Sequence, residues 1–544
     1  MELTEEQNRA TQTAAPNAIV VAGAGTGKTT VIVWRVLWLV SIGEDPKEIA
    51  VVTYTNEAAR VVTERLAEAG ITVGFCGTTH TFCLRTLREM GGGDLIVIDE
   101  EERNERLLAA AVDMCVSESV SSRALARMLE TGECNPKLAS KLDLAIERYQ
   151  AMCLRDGVID FESILRRTAR DLMQTRLVQP GTWAHLIVDE YQDANELDWQ
   201  IFASIPALNR FFVGDPLQSI MSFRGRRLRE FPMNVTAGAP EVFHLTKNWR
   251  STPEICAAAS RLSKHAHQSA PKALYSFRNS GADVRTREFR NDAEEALALA
   301  VALHVAVEEK QAKYDDFAVL CRTNAIADYI SEAFQAHDVP VRRLVPREVP
   351  DDWRRATRAL SYLARPDSPR ALRRHFEAMT GEKCDETSRL AISTPRPITG
   401  DADKLGVELR ALGVGLESAL LMEQRFQELP ADATLVDLEA AIAKEGSGRM
   451  MTRPDGVFVG TIHGAKGREF DRVVLAGMEE EVIPGRRKDV DVEEERRVAY
   501  VGMTRARNLL WLTWARSRRT TWGIRAPEKH ERSRFIDEAI GAER

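Results

Sequence analysis

Residues 19–29 read Ile-Val-Val-Ala-Gly-Ala-Gly-Thr-Gly-Lys-Thr, and this stretch decides the fold. An apolar run typical of a buried strand leads into a glycine-rich loop, and a helical pattern follows the loop. The glycines allow successive backbone N–H groups to face an anion, the lysine can reach the β- and γ-phosphates, and Thr29 can offer its hydroxyl to Mg²⁺. Ala22 stands where the consensus has its first glycine. The stretch predicts a phosphate-binding loop, and the alternative is a plain glycine turn between a strand and a helix.

The length and composition limit the classes of protein that this chain can be. With 544 residues it is too long for one core, so we expect several domains. The formal net charge of −7 gives no overall basic field, so any contact with nucleic acid must come from local groups of Lys and Arg. Eight cysteines without a CxxC pair predict reduced thiols and no structural metal. The polar N-terminus and the shortness of the apolar runs predict a cytoplasmic protein with no membrane segment.

Two groups of strand-like segments alternate with helical patterns, which is typical of parallel α/β sheets. The first group comprises residues 18–22, 49–53, 185–188, 210–213 and 241–245, and the second comprises 316–321, 456–461, 471–476 and 508–513. Helix-rich stretches with few strand signals interrupt each group. The sequence therefore predicts two similar α/β units, each carrying a helical insertion.

A second apolar run ends in acidic residues. Residues 185–188 lead directly into Asp189 and Glu190, and a parallel sheet presents its ligand groups at the carboxyl ends of its strands. Asp189 would hold Mg²⁺ directly or through water, and Glu190 would orient the attacking water or accept its proton. The alternative is a carboxylate pair that caps the following helix.

A glutamine and two arginines extend this candidate site. Gln218 follows another apolar strand and is placed to sense the γ-phosphate. Arg250 and Arg505 lie beyond the first α/β unit, and arginines from a facing domain would make hydrolysis depend on closure of the cleft. The alternative for either arginine is a surface salt bridge. The predicted catalytic set is Lys28, Asp189, Glu190, Gln218, Arg250 and Arg505.

The motifs, taken in order, resemble those of superfamily 1 helicases of the UvrD/Rep type. The resemblance runs from Leu3-Thr-Glu-Glu-Gln7 to Ser533-Arg-Phe-Ile536 and includes residues 460–470 and 492–506. It implies an α/β fold class with two RecA-like parallel-sheet motor domains, each interrupted by a mainly helical insertion. The implied bounds are 1–88 and 158–245 for the first motor domain, 89–157 for its insertion, 246–365 and 452–544 for the second motor domain, and 366–451 for a reduced second insertion.

The resemblance also implies ATP and Mg²⁺ as cofactors and the residues that contact them. Gln7 would recognise adenine, Trp249 would stack on it where the family usually has tyrosine, and Glu469 would lie near the ribose. The expected nucleotide-binding residues are Gln7, Ala22, Gly23, Ala24, Gly25, Thr26, Gly27, Lys28, Thr29, Thr30, Arg35, Trp249 and Glu469, with Thr29 and Asp189 at the metal.

Single-stranded DNA, or a junction of single and double strands, is the partner that the resemblance implies. The residues expected at DNA are Tyr54, Thr55, Asn56, Thr79, His80, Phe223, Arg224, Thr461 and His463. Met221 and Thr79 replace aromatic residues usual in the family, so two stacking positions are lost and we expect a weaker grip on the strand.

The second insertion and two basic clusters leave alternatives open. Residues 366–451 carry 11 Lys and Arg against 15 Asp and Glu, which predicts poor binding to a duplex backbone. This insertion is a protein docking surface, an autoinhibitory flap, or helical packing without further function. The basic clusters are phosphate contacts or solvated faces, and they comprise Arg354, Arg355, Arg358, Arg370, Arg373 and Arg374, then Arg516, Arg518, Arg519 and Arg525.

Three functions are compatible with these residues. The first is an ATP-driven translocase or helicase on single-stranded DNA, by resemblance moving 3′ to 5′. The second is a DNA-sensing ATPase subunit with a nuclease protein partner, similar to the helicase-like component of Gabija-type phage defence. The third is a nucleotide-gated DNA-binding module with little turnover. The two carboxylates and both arginines favour an enzyme that turns over.

Overall fold

A computed structural model gives the fold of most of the chain. It describes residues 3–92, 95–98, 100–115, 124–126, 128, 139–174, 183–220, 238–266, 273–346, 352–364, 369–380, 404–427, 434–435, 438–439, 442, 449–451, 455–486, 490–518 and 529–542.

The first parallel sheet contains the phosphate loop. In chain order, the strands up to residue 245 are β1 (Asn17–Ala22), β2 (Ile49–Thr53), β3 (Phe75–Thr78), β4 (Ile96–Ile98), β5 (Val158–Asp160), β6 (Trp183–Val188), β7 (Ala207–Gly214) and β8 (Glu241–Leu245). Six of them form a parallel sheet in the order β3-β2-β6-β7-β1-β8, while β4 and β5 pair separately. Its central strands are apolar on both faces because helices cover both sides. All five strands predicted for this group are confirmed.

The second parallel sheet is formed by strands from the later part of the chain. The later strands are β9 (Lys247–Asn248), β10 (Tyr275–Ser276), β11 (Arg285–Phe289), β12 (Phe317–Cys321), β13 (Val341–Arg342), β14 (Leu344–Pro346), β15 (Arg449–Met451), β16 (Val457–Thr461), β17 (Phe470–Ala476) and β18 (Ala506–Ala515). Six of them form a parallel sheet in the order β11-β18-β17-β12-β16-β13. The four predicted strands of this group are confirmed, and so is the predicted α/β fold class. The edge strands β11 and β13 were not predicted, since β11 is largely exposed and β13 has only two residues.

Helices pack on both sheets and build the insertions. They are α1 (Glu5–Thr11), α2 (Lys28–Ser41), α3 (Asn56–Glu68), α4 (Thr79–Leu87), α5 (Glu100–Asp113), α6 (Ala139–Asp156), α7 (Phe161–Gln174), α8 (Glu196–Ser204), α9 (Pro253–Ser263), α10 (Asp292–Glu308), α11 (Asn324–Ala336), α12 (Trp353–Ala364), α13 (Pro369–Thr380), α14 (Leu405–Ala411), α15 (Leu416–Gln427), α16 (Val492–Met503) and α17 (Arg534–Ile540).

The two segments predicted as insertions contribute to one hydrophobic core. Side chains of α5 and α6, from the first insertion, belong to the same buried cluster as side chains of α12, α14 and α15. Helix α12 lies in the segment predicted for the second motor domain, yet its buried residues contribute to this insertion core. A buried carboxylate of α5, Glu102, accepts hydrogen bonds from Arg106, Arg358 and Arg374, so the shared core also contains a charged cluster.

These contacts correct part of the prediction for the basic clusters. Arg358 and Arg374 pair with Glu102 inside the insertion core rather than facing a phosphate backbone. Arg518 is buried at the second sheet, where it pairs with Glu295 and with Glu479. Of the remaining members, the side chains of Arg354, Arg370 and Arg373, and all of Arg519 and Arg525, lie outside the described part.

Candidate nucleotide site and interdomain cleft

The phosphate loop leaves β1 at the centre of the first sheet and ends at the start of α2. Gly25 and Gly27 have φ angles of 70° and 87°, which disfavour residues with a Cβ atom. The Thr26 hydroxyl donates to the carbonyl of Gly23 at 2.8 Å and tightens the turn. The predicted residues of this loop, from Ala22 to Thr30, thus surround the N-terminus of a 14-residue helix, whose free N–H groups favour an anion.

Two elements cover this loop, and each supplies a predicted nucleotide contact. Helix α1 begins with a capping box, in which Gln7 Oε1 accepts from the N–H of Thr4, and Gln7 Nε2 donates to the carbonyl of Thr26 at 3.0 Å. On the other side, the N–H of Trp249 donates to the carbonyl of Gly25 at 2.9 Å. The structure therefore brings Gln7 and Trp249, the two residues expected at adenine, to the phosphate loop.

Lys28 and Glu190 form an ion pair across the site. The Lys28 ammonium lies 2.7 Å from Glu190 Oε2. Burial alone would lower the pKa of Lys28, but the nearby carboxylates of Glu190, Asp215 and Asp189 raise it. Burial would likewise raise the pKa of Glu190, but the Lys28 ammonium holds it well below its usual range. A bound phosphate would compete with Glu190 for this ammonium.

The acidic pair lies at the carboxyl end of β6, as predicted. Burial, followed by repulsion from Glu190, raises the pKa of Asp189. Glu190 has φ 50° and ψ 42°, a left-handed conformation that non-glycine residues rarely adopt and that often marks a functional site. Because carboxylate oxygens are the ligands that Mg²⁺ prefers, Asp189 fits the predicted metal role. Thr29, the second residue of α2, directly follows Lys28.

Gln218 connects the first sheet to the second. Its Nε2 donates to Asp215 Oδ2 at 2.7 Å, while its Oε1 accepts from Arg505 Nη2 at 3.2 Å. Arg505 is almost completely buried and also donates to the carbonyl of Val501 at 2.9 Å. Burial lowers the pKa of Arg505 to about 9. Two residues predicted as catalytic, one from each sheet, are thus in direct contact.

Lys466 is a cleft residue that sequence reasoning did not single out. Its ammonium contacts both oxygens of Asp193, at 2.7 and 2.5 Å, and donates to the carbonyl of Gln218 at 2.8 Å. It lies within the motif of residues 460–470, and its place in that motif is the sequence feature from which a role in the cleft could have been predicted. Lys466 ties the second sheet to the turn that follows Glu190.

Arg250 and Glu469 are in contact with each other. The Arg250 guanidinium donates to Glu469 Oε1 at 3.1 Å and to the carbonyl of Thr504 at 3.1 Å. A candidate γ-phosphate ligand and a candidate ribose contact thus form an ion pair beside the phosphate loop. A Cβ atom on Gly25 would approach Arg250 Cβ to 2.7 Å, which places the backbone of this arginine against the loop.

The expected nucleotide contact of Arg35 is corrected by the structure. Its guanidinium donates to the carbonyls of Thr11 and Thr13, at 2.9 and 2.7 Å, and lies over the Trp38 and Phe211 rings. It lies seven residues beyond Lys28 in the same helix, roughly 10 Å along the axis. Arg35 therefore connects α1 to the first sheet rather than reaching the phosphate loop.

Several residues expected at DNA lie at the ends of strands next to the acidic pair. Tyr54 and Thr79 border a small cavity of about 10 Å³ together with Asp189 and Glu190. Thr55 caps α3 by accepting from the N–H of Ala58, and Asn56 is the first residue of that helix.

The other residues expected at DNA occupy three places. The His80 ring stacks on Phe161 with centroids 3.6 Å apart. Thr461 ends β16, and burial, followed by the charge of Arg322, lowers the pKa of the nearby His463 to about 4. Phe223 and Arg224 lie outside the described residues.

Comparisons with known proteins agree with this arrangement. The family model of the UvrD/REP helicase N-terminal domain matches residues 3–232, and that of the UvrD-like helicase C-terminal domain matches 243–346 and 418–517. The chain is similar to the ATP-dependent DNA helicase PcrA of Staphylococcus aureus strain Mu50, with 25% identity over 98% of this chain and 86% of that protein. It is also similar to DNA helicase II of Escherichia coli K12, with 26% identity over 98% and 87%. Among the described helices, none is long and apolar enough to cross a membrane.

Proposed function

This chain belongs to the UvrD-like helicase family and is an ATP-dependent DNA helicase, and we propose that it moves along single-stranded DNA from 3′ to 5′. The observation that best supports the proposal is that residues beside the two sheets contact each other close to the acidic pair. Gln218 contacts Arg505, and Asp193 contacts Lys466, each pair spanning the cleft. A cleft built in this way couples events at the nucleotide to relative motion of the two domains.

The residues of the cleft fit the chemistry of phosphoryl transfer. On binding ATP, Lys28 exchanges the Glu190 carboxylate for the phosphates, which frees Glu190 to orient water. Thr29 and Asp189 would hold Mg²⁺, which neutralises phosphate charge when bound. Arg505 and Arg250 come from the second motor domain and stabilise the charge that develops on the γ-phosphate oxygens.

Two residues expected at DNA lie next to the acidic pair, which would couple DNA binding to ATP hydrolysis. Tyr54 and Thr79 border the same small cavity as Asp189 and Glu190. A base stacked on Tyr54 would therefore lie close to the acidic pair at the end of β6. The expected stacking energy is about 1–3 kcal/mol per base and does not depend on sequence.

The direct test is steady-state ATP hydrolysis with and without single-stranded DNA, with Lys28→Ala as the inactive control. We expect strong stimulation by DNA in the wild-type chain and no turnover in the variant. A high rate that DNA leaves unchanged would contradict coupling. Hydrolysis that appears only after a nuclease partner is added would favour a DNA-sensing complex instead.

A further inference from the structure

An exposed phenylalanine lies against the tryptophan expected to stack on adenine. The Phe277 and Trp249 rings have centroids 4.2 Å apart and are inclined by 51°. The Lys247 ammonium lies 4.1 Å from the centroid of Phe277 and 5.0 Å from that of Trp249. The three side chains form a cluster, which we call the 247–249–277 platform.

The backbone beneath this platform is fixed by hydrogen bonds. Strands β9 and β10 pair in parallel, and beyond their last pair the N–H of Phe277 donates to the carbonyl of Asn248 at 2.8 Å. Arg278 donates to the carbonyl of Arg250 at 2.7 Å. The Phe277 side chain is nevertheless 58% exposed. A large aromatic ring held in solvent on a fixed backbone is available for a ligand.

The platform adjoins the phosphate loop on the side where the nucleobase is expected. Trp249 bonds to Gly25 through its backbone, and Asn248 Nδ2 donates to the carbonyl of Ala24 at 2.6 Å. Gln7, the expected adenine contact, bonds to the next residue of the loop. If the phosphates of a nucleotide bind at Gly23–Gly27, its base is therefore expected to lie between α1 and this platform.

We propose that Phe277 is a positioning residue for the nucleobase, acting with Lys247 to hold the Trp249 ring in the orientation that stacks on the base. This inference rests on the proposed ATP site. Without Phe277, the half-buried indole of Trp249 has more accessible rotamers. Ordering the indole then costs conformational entropy, which offsets part of the stacking energy with the base. The Lys247 ammonium lies within cation–π distance of both rings, which favours keeping them together.

The test compares ligands with and without a base. Binding of ADP and of inorganic tripolyphosphate is measured by calorimetry for the wild type, Phe277→Leu and Phe277→Tyr. We expect about a tenfold weaker affinity for ADP in Phe277→Leu, an unchanged affinity for tripolyphosphate, and recovery in Phe277→Tyr. The KM for ATP should rise by a similar factor while kcat at saturating ATP stays the same.

The controls separate this inference from the proposed function. Asn279→Ala changes an exposed residue of the same segment and should bind ADP as the wild type does. Equal loss of ADP and tripolyphosphate affinity in Phe277→Leu would indicate a distorted phosphate loop and overturn the inference. Unchanged ADP affinity would overturn it as well. Failure of the wild type to bind ADP would instead refute the ATP site itself.

Discussion

Replacing Glu102 by Gln tests whether the two insertions form one body. Its side chain is only 8% exposed and accepts from Arg106 at 3.1 Å, from Arg358 at 3.4 Å and from Arg374. Arg106 belongs to the first insertion, whereas the other two arginines lie on α12 and α13. The substitution keeps the shape of the side chain but removes a negative charge that all three guanidinium groups contact, while Arg106 keeps its pair with Asp156.

The magnitude follows from burial. Removing one partner of a buried ion pair costs about 3–5 kcal/mol, because the other charge stays buried without compensation. We take about 3 kcal/mol, since the amide oxygen still accepts a hydrogen bond. Burial alone would raise the pKa of Glu102, but the three arginines hold it below its usual range. The ionised Glu102 carboxylate therefore provides its full stabilisation above the unfolded carboxyl pKa of about 4.3. That stabilisation is lost as the pH falls through the lower pKa of the folded state.

Native-state hydrogen exchange read by mass spectrometry is the suitable assay, because it reports each segment of a multidomain protein separately. A loss of about 3 kcal/mol corresponds to exchange on the order of 100-fold faster. We expect this in α5 and in α12 together at pH 7, with a smaller difference between variant and wild type at pH 4. Glu105→Gln, an exposed change on α5, is the control. Faster exchange in only one of these two helices would refute the shared core.

Three further predictions concern the cleft and the second sheet. Glu190→Gln should retain ATP binding in calorimetry while turnover falls about 10²–10⁴-fold, and full turnover would remove Glu190 from the catalytic set. Arg505→Lys should lower kcat about 10³-fold or more with little change in KM, whereas a raised KM with normal kcat would make it a binding residue. Arg518→Met should lower the free energy of unfolding by about 3–5 kcal/mol in thermal melts, because it leaves two buried glutamates unpaired. The exposed Arg516→Met is its control, and loss of DNA affinity without loss of stability would revive a phosphate contact.

The sheets and the acidic pair were predictable because their signals are local. A buried parallel strand is a continuous apolar run, and the sequence of β1 or β6 shows both the run and the functional residues that end it. Gln218 and Arg505 were predictable from their motifs, although only the fold shows that they touch.

The shared insertion core and the charged clusters were not predictable in the same way. An arginine in a basic run has the same local sequence whether it faces solvent or a buried carboxylate, and Glu102 is more than 250 residues from Arg358 and Arg374. The resemblance implies a nucleotide contact for Arg35, yet the helix places this residue about two turns beyond Lys28. The environment of each of these arginines depends on contacts with residues distant in sequence or on helix geometry, which the local sequence does not show.

Displacement of streptavidin from biotinylated oligonucleotides measures directed motion on DNA. The chain is incubated with ATP and single strands that carry streptavidin at the 5′ or the 3′ end, with Lys28→Ala as the control. We expect ATP-dependent displacement from the 5′ end and little from the 3′ end. Displacement from the 3′ end alone, or none from either end despite ATP hydrolysis, would contradict it.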